Sequence, residues 1–124
     1  MYTAIVLDEE SRKKLIKRFI HLIPADWHII AHHVTLNMGP IQNGPADPSL
    51  LGNTAELTVV SVAADDKVMA VGVTSEVPSK NEQPHITLAV NRAGGGKPVM
   101  SNNLRNWETL SDPFDLFGTV EEVR

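Results

Sequence analysis

Apolar and polar positions along the chain follow two rhythms, one of period two and one near 3.6. Residues 2–7 form a short apolar run that reads as a strand, and Asp8 after it is suited to capping a helix. Over residues 11–23 the apolar positions Leu15, Ile16, Phe19, Ile20 and Ile23 recur at helical spacing, while Arg12, Lys13, Lys14, Lys17 and Arg18 make the solvated face. Pro24 to Asp26 ends that helix. Residues 27–38 are extended and stop at Gly39-Pro40. Residues 41–53, with Gly44, Pro45, Pro48 and Gly52, read as a loop with one helical turn near Pro48. Two strands, 55–64 and 67–77, are joined at Asp65-Asp66 as a hairpin. A polar irregular stretch and Pro84 lead into a strand at 85–90. A flexible glycine loop follows at 91–98, then a helix over about 100–110, a stop at Ser111-Asp112-Pro113 and a last strand at 114–123.

The order is β-α-β, a hairpin, then β-α-β. It predicts an α+β fold, bilobal, with two pseudo-symmetric β-α-β halves around a central cleft. At 124 residues, with no low-complexity tract, the chain reads as a single domain over 1–124. It has no cysteine, which excludes disulfides, thiolate metal sites and a cysteine nucleophile. The first residues lack a basic segment followed by an apolar run, and no apolar stretch reaches membrane-spanning length, so a cytoplasmic location away from membranes is expected. The net charge of −4 opposes avid binding to long duplex nucleic acid but leaves room for a nucleotide or an RNA end.

One tetrapeptide pattern occurs twice: His33-Val34-Thr35-Leu36 and His85-Ile86-Thr87-Leu88. On a strand, residues two apart share a face. Each copy therefore presses two apolar side chains into a core and shows an imidazole and a hydroxyl on the other side. Two facing histidines can divide the work of phosphodiester cleavage, one taking a proton from the nucleophile and the other giving one to the departing oxygen. Threonine hydroxyls on the same faces can donate to the non-bridging phosphate oxygens. The competing reading is a pair of ordinary strands, with His33 and His85 far apart or buried against backbone.

The stretches from His33 to Gly39 and from Pro84 to Ala89 resemble the two His-x-Thr motifs of the 2H phosphoesterase superfamily, which includes LigT-like bacterial RNA 2′,3′-cyclic phosphodiesterases. Gly39 and Pro84 also match the common pattern. The resemblance implies a bilobal fold with a central cleft and metal-independent chemistry on 2′,3′-cyclic or 2′-5′ phosphodiesters of RNA ends or nucleotides. His33, Thr35, His85 and Thr87 fall on the catalytic positions. No cofactor and no metal are implied, and the enzyme would act as a monomer. Rivals are an RNA-end ligase or signalling-nucleotide phosphodiesterase of the same fold, and a non-catalytic nucleotide or RNA-end binding module.

Gly94-Gly95-Gly96-Lys97 is not a Walker loop, because Pro98 stands where Ser or Thr is needed. Arg92 and Lys97 in that loop, with Tyr2, are the candidate substrate contacts. Trp27, Trp107 and Tyr2 are the aromatic rings suited either to stacking a base or to packing in the core or rim. His28 and His32 lie four apart, on the face opposite His33 if the strand is regular, and lack a third metal ligand. They and His21 read as surface or structural histidines.

Overall fold

A computed structural model describes residues 1–124. Its strands are β1 (Tyr2–Leu7), β2 (His28–Ile29), β3 (His33–Met38), β4 (Thr54–Ala64), β5 (Val68–Thr74), β6 (His85–Val90) and β7 (Glu108–Val123), with a single α-helix, α1 (Glu9–Phe19). The strands run β6-β3-β1-β7-β4-β5, and β5 pairs back with β6, closing a six-stranded antiparallel barrel. Closure leaves these strands without an open sheet edge.

The bilobal expectation is thereby corrected. Two separate β-α-β lobes would each need their own sheet. Instead β1 bonds to β3 on one side and to the C-terminal β7 on the other, so the two ends of the chain share one sheet. There is also only one α-helix to cover it.

The helix expected over 100–110 is absent. A 3₁₀ turn, Pro98–Asn103, gives way to extended backbone and then to β7. Asn102-Asn103 favours turns over helix interiors, and the ladder that Ser61 and Val62 offer to Thr109 and Glu108 claims the next residues as strand. Strand β7 continues through the expected stop at Pro113. The ladder to β4 skips from Thr109 to Phe114, opposite the register shift between Val59 and Ser61, so residues 110–113 arch out of the sheet where proline costs no ladder bond. Arg18 secures the arch, its guanidinium donating to the Asp112 carbonyl at 2.8 Å and carboxylate at 3.1 Å.

The first helix starts earlier than its apolar spacing suggests. Asp8 caps it, accepting from the Ser11 amide at 2.7 Å. The periodicity that continues past Phe19 falls on a 3₁₀ turn, Ile20–Leu22. Leu15 and Phe19 bury the inner face of α1 against the barrel.

The extended segment 27–38 is also broken. Ala31 has φ of 45°, strained for a residue with a Cβ, and is fully buried. The Ile30 and Ala31 amides nevertheless donate to the Leu88 and Thr87 carbonyls at 2.8 and 3.0 Å. The segment thus stays on the edge of β6 while its side-chain alternation is reset.

Within β3 and β6 the alternation is as the pattern predicts. Val34, Leu36, Ile86 and Leu88 are buried in the main core with Ile5, Leu57, Val71 and Leu116. Each such side chain contributes roughly 1.5–3 kcal/mol by leaving water. His33, Thr35, His85 and Thr87 remain half-buried on the outer face of the barrel.

Candidate active site

Strands β3 and β6 are neighbours, with Val34 opposite Ile86. That register sets the two motifs side by side. His33, Thr35, His85 and Thr87 all line one cavity of about 510 Å³. The loop before β6 and the 3₁₀ turn after it complete the walls, through Lys80, Asn81, Val99 and Asn102. The loop is tied to β3 at two points: the Lys80 amide donates to the Leu36 carbonyl at 2.7 Å, and the Ser79 hydroxyl to the Thr35 carbonyl at 2.9 Å. The two histidines are not far apart: both line this cavity, although His85 is also bonded to backbone.

The two imidazoles are held differently. His85 Nδ1 lies 2.8 Å from the Gln83 carbonyl. A carbonyl only accepts, so Nδ1 carries the hydrogen, and Nε2 is left for chemistry. His33 Nδ1 lies 2.9 Å from His32 Nδ1. Only one hydrogen fits between two such nitrogens, so this contact cannot be made by two imidazolium ions. The Tyr2 ring packs on His33, with centroids 4.9 Å apart. Burial, then the charges of His32 and His85, push His33 from its ordinary 6.5 down to about 4. His33 is therefore neutral near pH 7, with a lone pair to offer.

The threonines differ too. The Thr87 hydroxyl is 2.8 Å from the buried Ser101 hydroxyl and 3.4 Å from the Pro98 carbonyl. If Ser101 donates to it, the Thr87 hydrogen goes to the Pro98 carbonyl at 3.4 Å, a long bond that a ligand oxygen can replace. Thr35 is anchored instead through its backbone carbonyl.

Arg92, Lys97 and Tyr2 are not brought into the cavity wall. The glycine loop is tied down rather than free. Gly95 takes a left-handed conformation with φ of 86°, and the Gly96 amide donates to the Asn91 carbonyl at 2.7 Å. Lys67 binds the loop through its ammonium on the Gly94 carbonyl and its own carbonyl on the Asn91 amide. This folds the loop back over the start of β5, leaves Arg92 and Lys97 exposed, and lets Pro98 and Val99 form the wall. Tyr2 backs His33 instead of facing the cavity. His32 is a further correction: the backbone reset at Ala31 turns its ring onto His33, with centroids 5.1 Å apart, rather than to the opposite face.

Sequence reasoning missed Lys80, Asn81, Ser101 and Asn102. Nothing in a polar loop or in an expected helix distinguishes them; the closure of the barrel brings them to the site. No group of three or more His, Asp or Glu side chains is gathered as a metal site.

Residues 10–115 match the model of a protein family described as the fungal tRNA ligase phosphodiesterase domain. No curated protein and no solved structure gives a match.

Proposed function

The chain belongs to the fungal tRNA ligase phosphodiesterase domain family, within the 2H phosphoesterase superfamily, and from that premise we propose that it hydrolyses a 2′,3′-cyclic or 2′-5′ phosphodiester at an RNA end or on a nucleotide. The observation that carries this reading is the single cavity lined by both His-x-Thr pairs.

His33, neutral near pH 7, is the base, and His85 is the acid. Water attacks phosphorus as His33 Nε2 takes its proton. The bond from phosphorus to the ribose oxygen breaks, and the Nε2–H of protonated His85 gives its proton to that oxygen. The product is a phosphomonoester with a free hydroxyl. As His33 gains a proton, its Nδ1–H must find an acceptor, and His32 Nδ1 at 2.9 Å supplies one while His32 is itself neutral. The Gln83 carbonyl accepts from His85 Nδ1 and so holds the ring with Nε2 free for the leaving oxygen. Thr35 and Thr87 donate to the non-bridging oxygens as charge accumulates there.

The test is incubation with a nucleoside 2′,3′-cyclic phosphate and with an RNA carrying a terminal cyclic phosphate, both in EDTA, with His85→Ala as control. Product from the wild type alone is expected. Tight binding without product would assign a binding module instead.

A further inference from the structure

A second compartment, of about 470 Å³, opens beside the reacting cavity and shares His85, Lys80, Asn81 and Asn102 with it. Its far wall is Arg105 and Trp107, on the extended stretch that replaces the expected helix. Both side chains are fixed by backbone. One terminal nitrogen of Arg105 donates to the Asn102 and Leu104 carbonyls at 3.0 and 2.9 Å, which leaves the rest of the guanidinium fork unused. The indole of Trp107 donates to the Leu104 carbonyl at 3.2 Å, and its half-buried ring stands 6.2 Å from the His85 ring. Lys80 and Arg105 face a single carboxylate, Glu82. A held flat ring, a held anion fork and an excess of positive charge fit a nucleotide.

We infer that this compartment receives the nucleoside carrying the leaving oxygen, with its base on Trp107 and the phosphate on its 5′ side paired to Arg105. The inference rests on the phosphodiesterase reading and on His85 being the acid. In an in-line displacement the leaving oxygen lies opposite the nucleophile. The group that it belongs to therefore lies beyond the acid, where the second compartment begins. The substrate class is then an RNA end, or a nucleotide already phosphorylated at its 5′ position, rather than a bare nucleoside cyclic phosphate.

The test compares kcat/KM for adenosine 2′,3′-cyclic phosphate and for the same compound bearing a 5′-phosphate. The wild type should favour the second by roughly tenfold or more, the weight of a charge-assisted contact. Arg105→Gln should bring the ratio close to one, and Arg105→Lys should leave it between. Trp107→Ala should lower both substrates by roughly 5- to 150-fold through lost stacking. A wild type without preference, or a preference that survives Arg105→Gln, overturns the inference. If the wild type turned over neither substrate, quenching of indole fluorescence by the 5′-phosphorylated compound, abolished in Trp107→Phe, would uphold this site while sinking the proposed reaction. Absence of that quenching would sink the site as well.

Discussion

His33 and His85 come from the same tetrapeptide pattern on adjacent strands, and their surroundings separate them. His33 lies under Tyr2, against another imidazole, and is driven toward its neutral form. His85 donates to a backbone carbonyl, a partner that tolerates the imidazolium form, and faces an aromatic ring at the mouth of a polar compartment. In the proposed mechanism it is these neighbours that divide base from acid, where the repeated letters do not. Around each ring they arise from local accidents: the turn at Ala31 that delivers His32, and the approach through Gln83-Pro84 that delivers a carbonyl.

The largest expected effect comes from removing either imidazole. His33→Ala and His85→Ala should each lower turnover by roughly 10²–10⁴-fold, the usual weight of a general acid or base. Both variants should stay folded, because the core sides of these strands are untouched. The leaving group sharpens the distinction. A substrate whose leaving oxygen needs no proton should restore rate to His85→Ala but not to His33→Ala, and equal rescue of both would dissolve the division of labour.

The hydroxyls come next. Thr35→Val and Thr87→Val should each cost about 10²–10³-fold in kcat, as for other lost donors to a developing oxyanion. Ser101→Ala should reproduce a fraction of the Thr87 loss, because Ser101 holds that hydroxyl, and should leave Thr35 unaffected. A Ser101 effect as large as that of Thr87→Val would move the donor role onto Ser101.

The pH dependence of stability follows from His33. Its value falls from 6.5 to about 4 on folding, so between those limits the unfolded chain binds the proton more readily than the folded one. His33 therefore makes unfolding easier as pH drops through that window and contributes nothing to the slope above it. Denaturant titrations at pH 7.5 and 5 should show a smaller loss of stability for His33→Gln than for the wild type; matched losses would remove the case for a neutral, desolvated His33.

The smallest effect belongs to His32. His32→Ala should lower turnover by less than about tenfold, within the range of one lost hydrogen bond. It should also raise the acidic limb of the kcat/KM profile from near 4 toward 6.5, since a charge that opposes protonation of His33 is gone. A profile that stayed in place would leave His32 with a packing role alone.

Much of this was readable from the residues. The alternation in β3 and β6 predicts which side chains are buried and which are half-exposed, and Asp8 marks the helix start. Glycine composition at 91–98 reads as freedom, whereas the bonds that hold the loop come from Lys67, just before β5, and from the loop's own fold around Asn91. The helix expected over 100–110 fails because the free ladder on β4 is a long-range offer that no local window contains.

By itself the sequence determined the two His-x-Thr strands, their inward and outward faces and the chemistry that their side chains permit. Those follow from local geometry: a period of two, and the donors and acceptors of imidazole and hydroxyl. The tertiary structure alone decided that β1 would join both ends of the chain into a barrel, that β3 would meet β6 in the register that creates one cavity, that Gln83, Arg105 and Trp107 would line the compartment beside it, and that His32 would come against His33. These depend on which strands pair across long separations, where burial and ladder hydrogen bonding are satisfied by the whole sheet together and not by any segment alone.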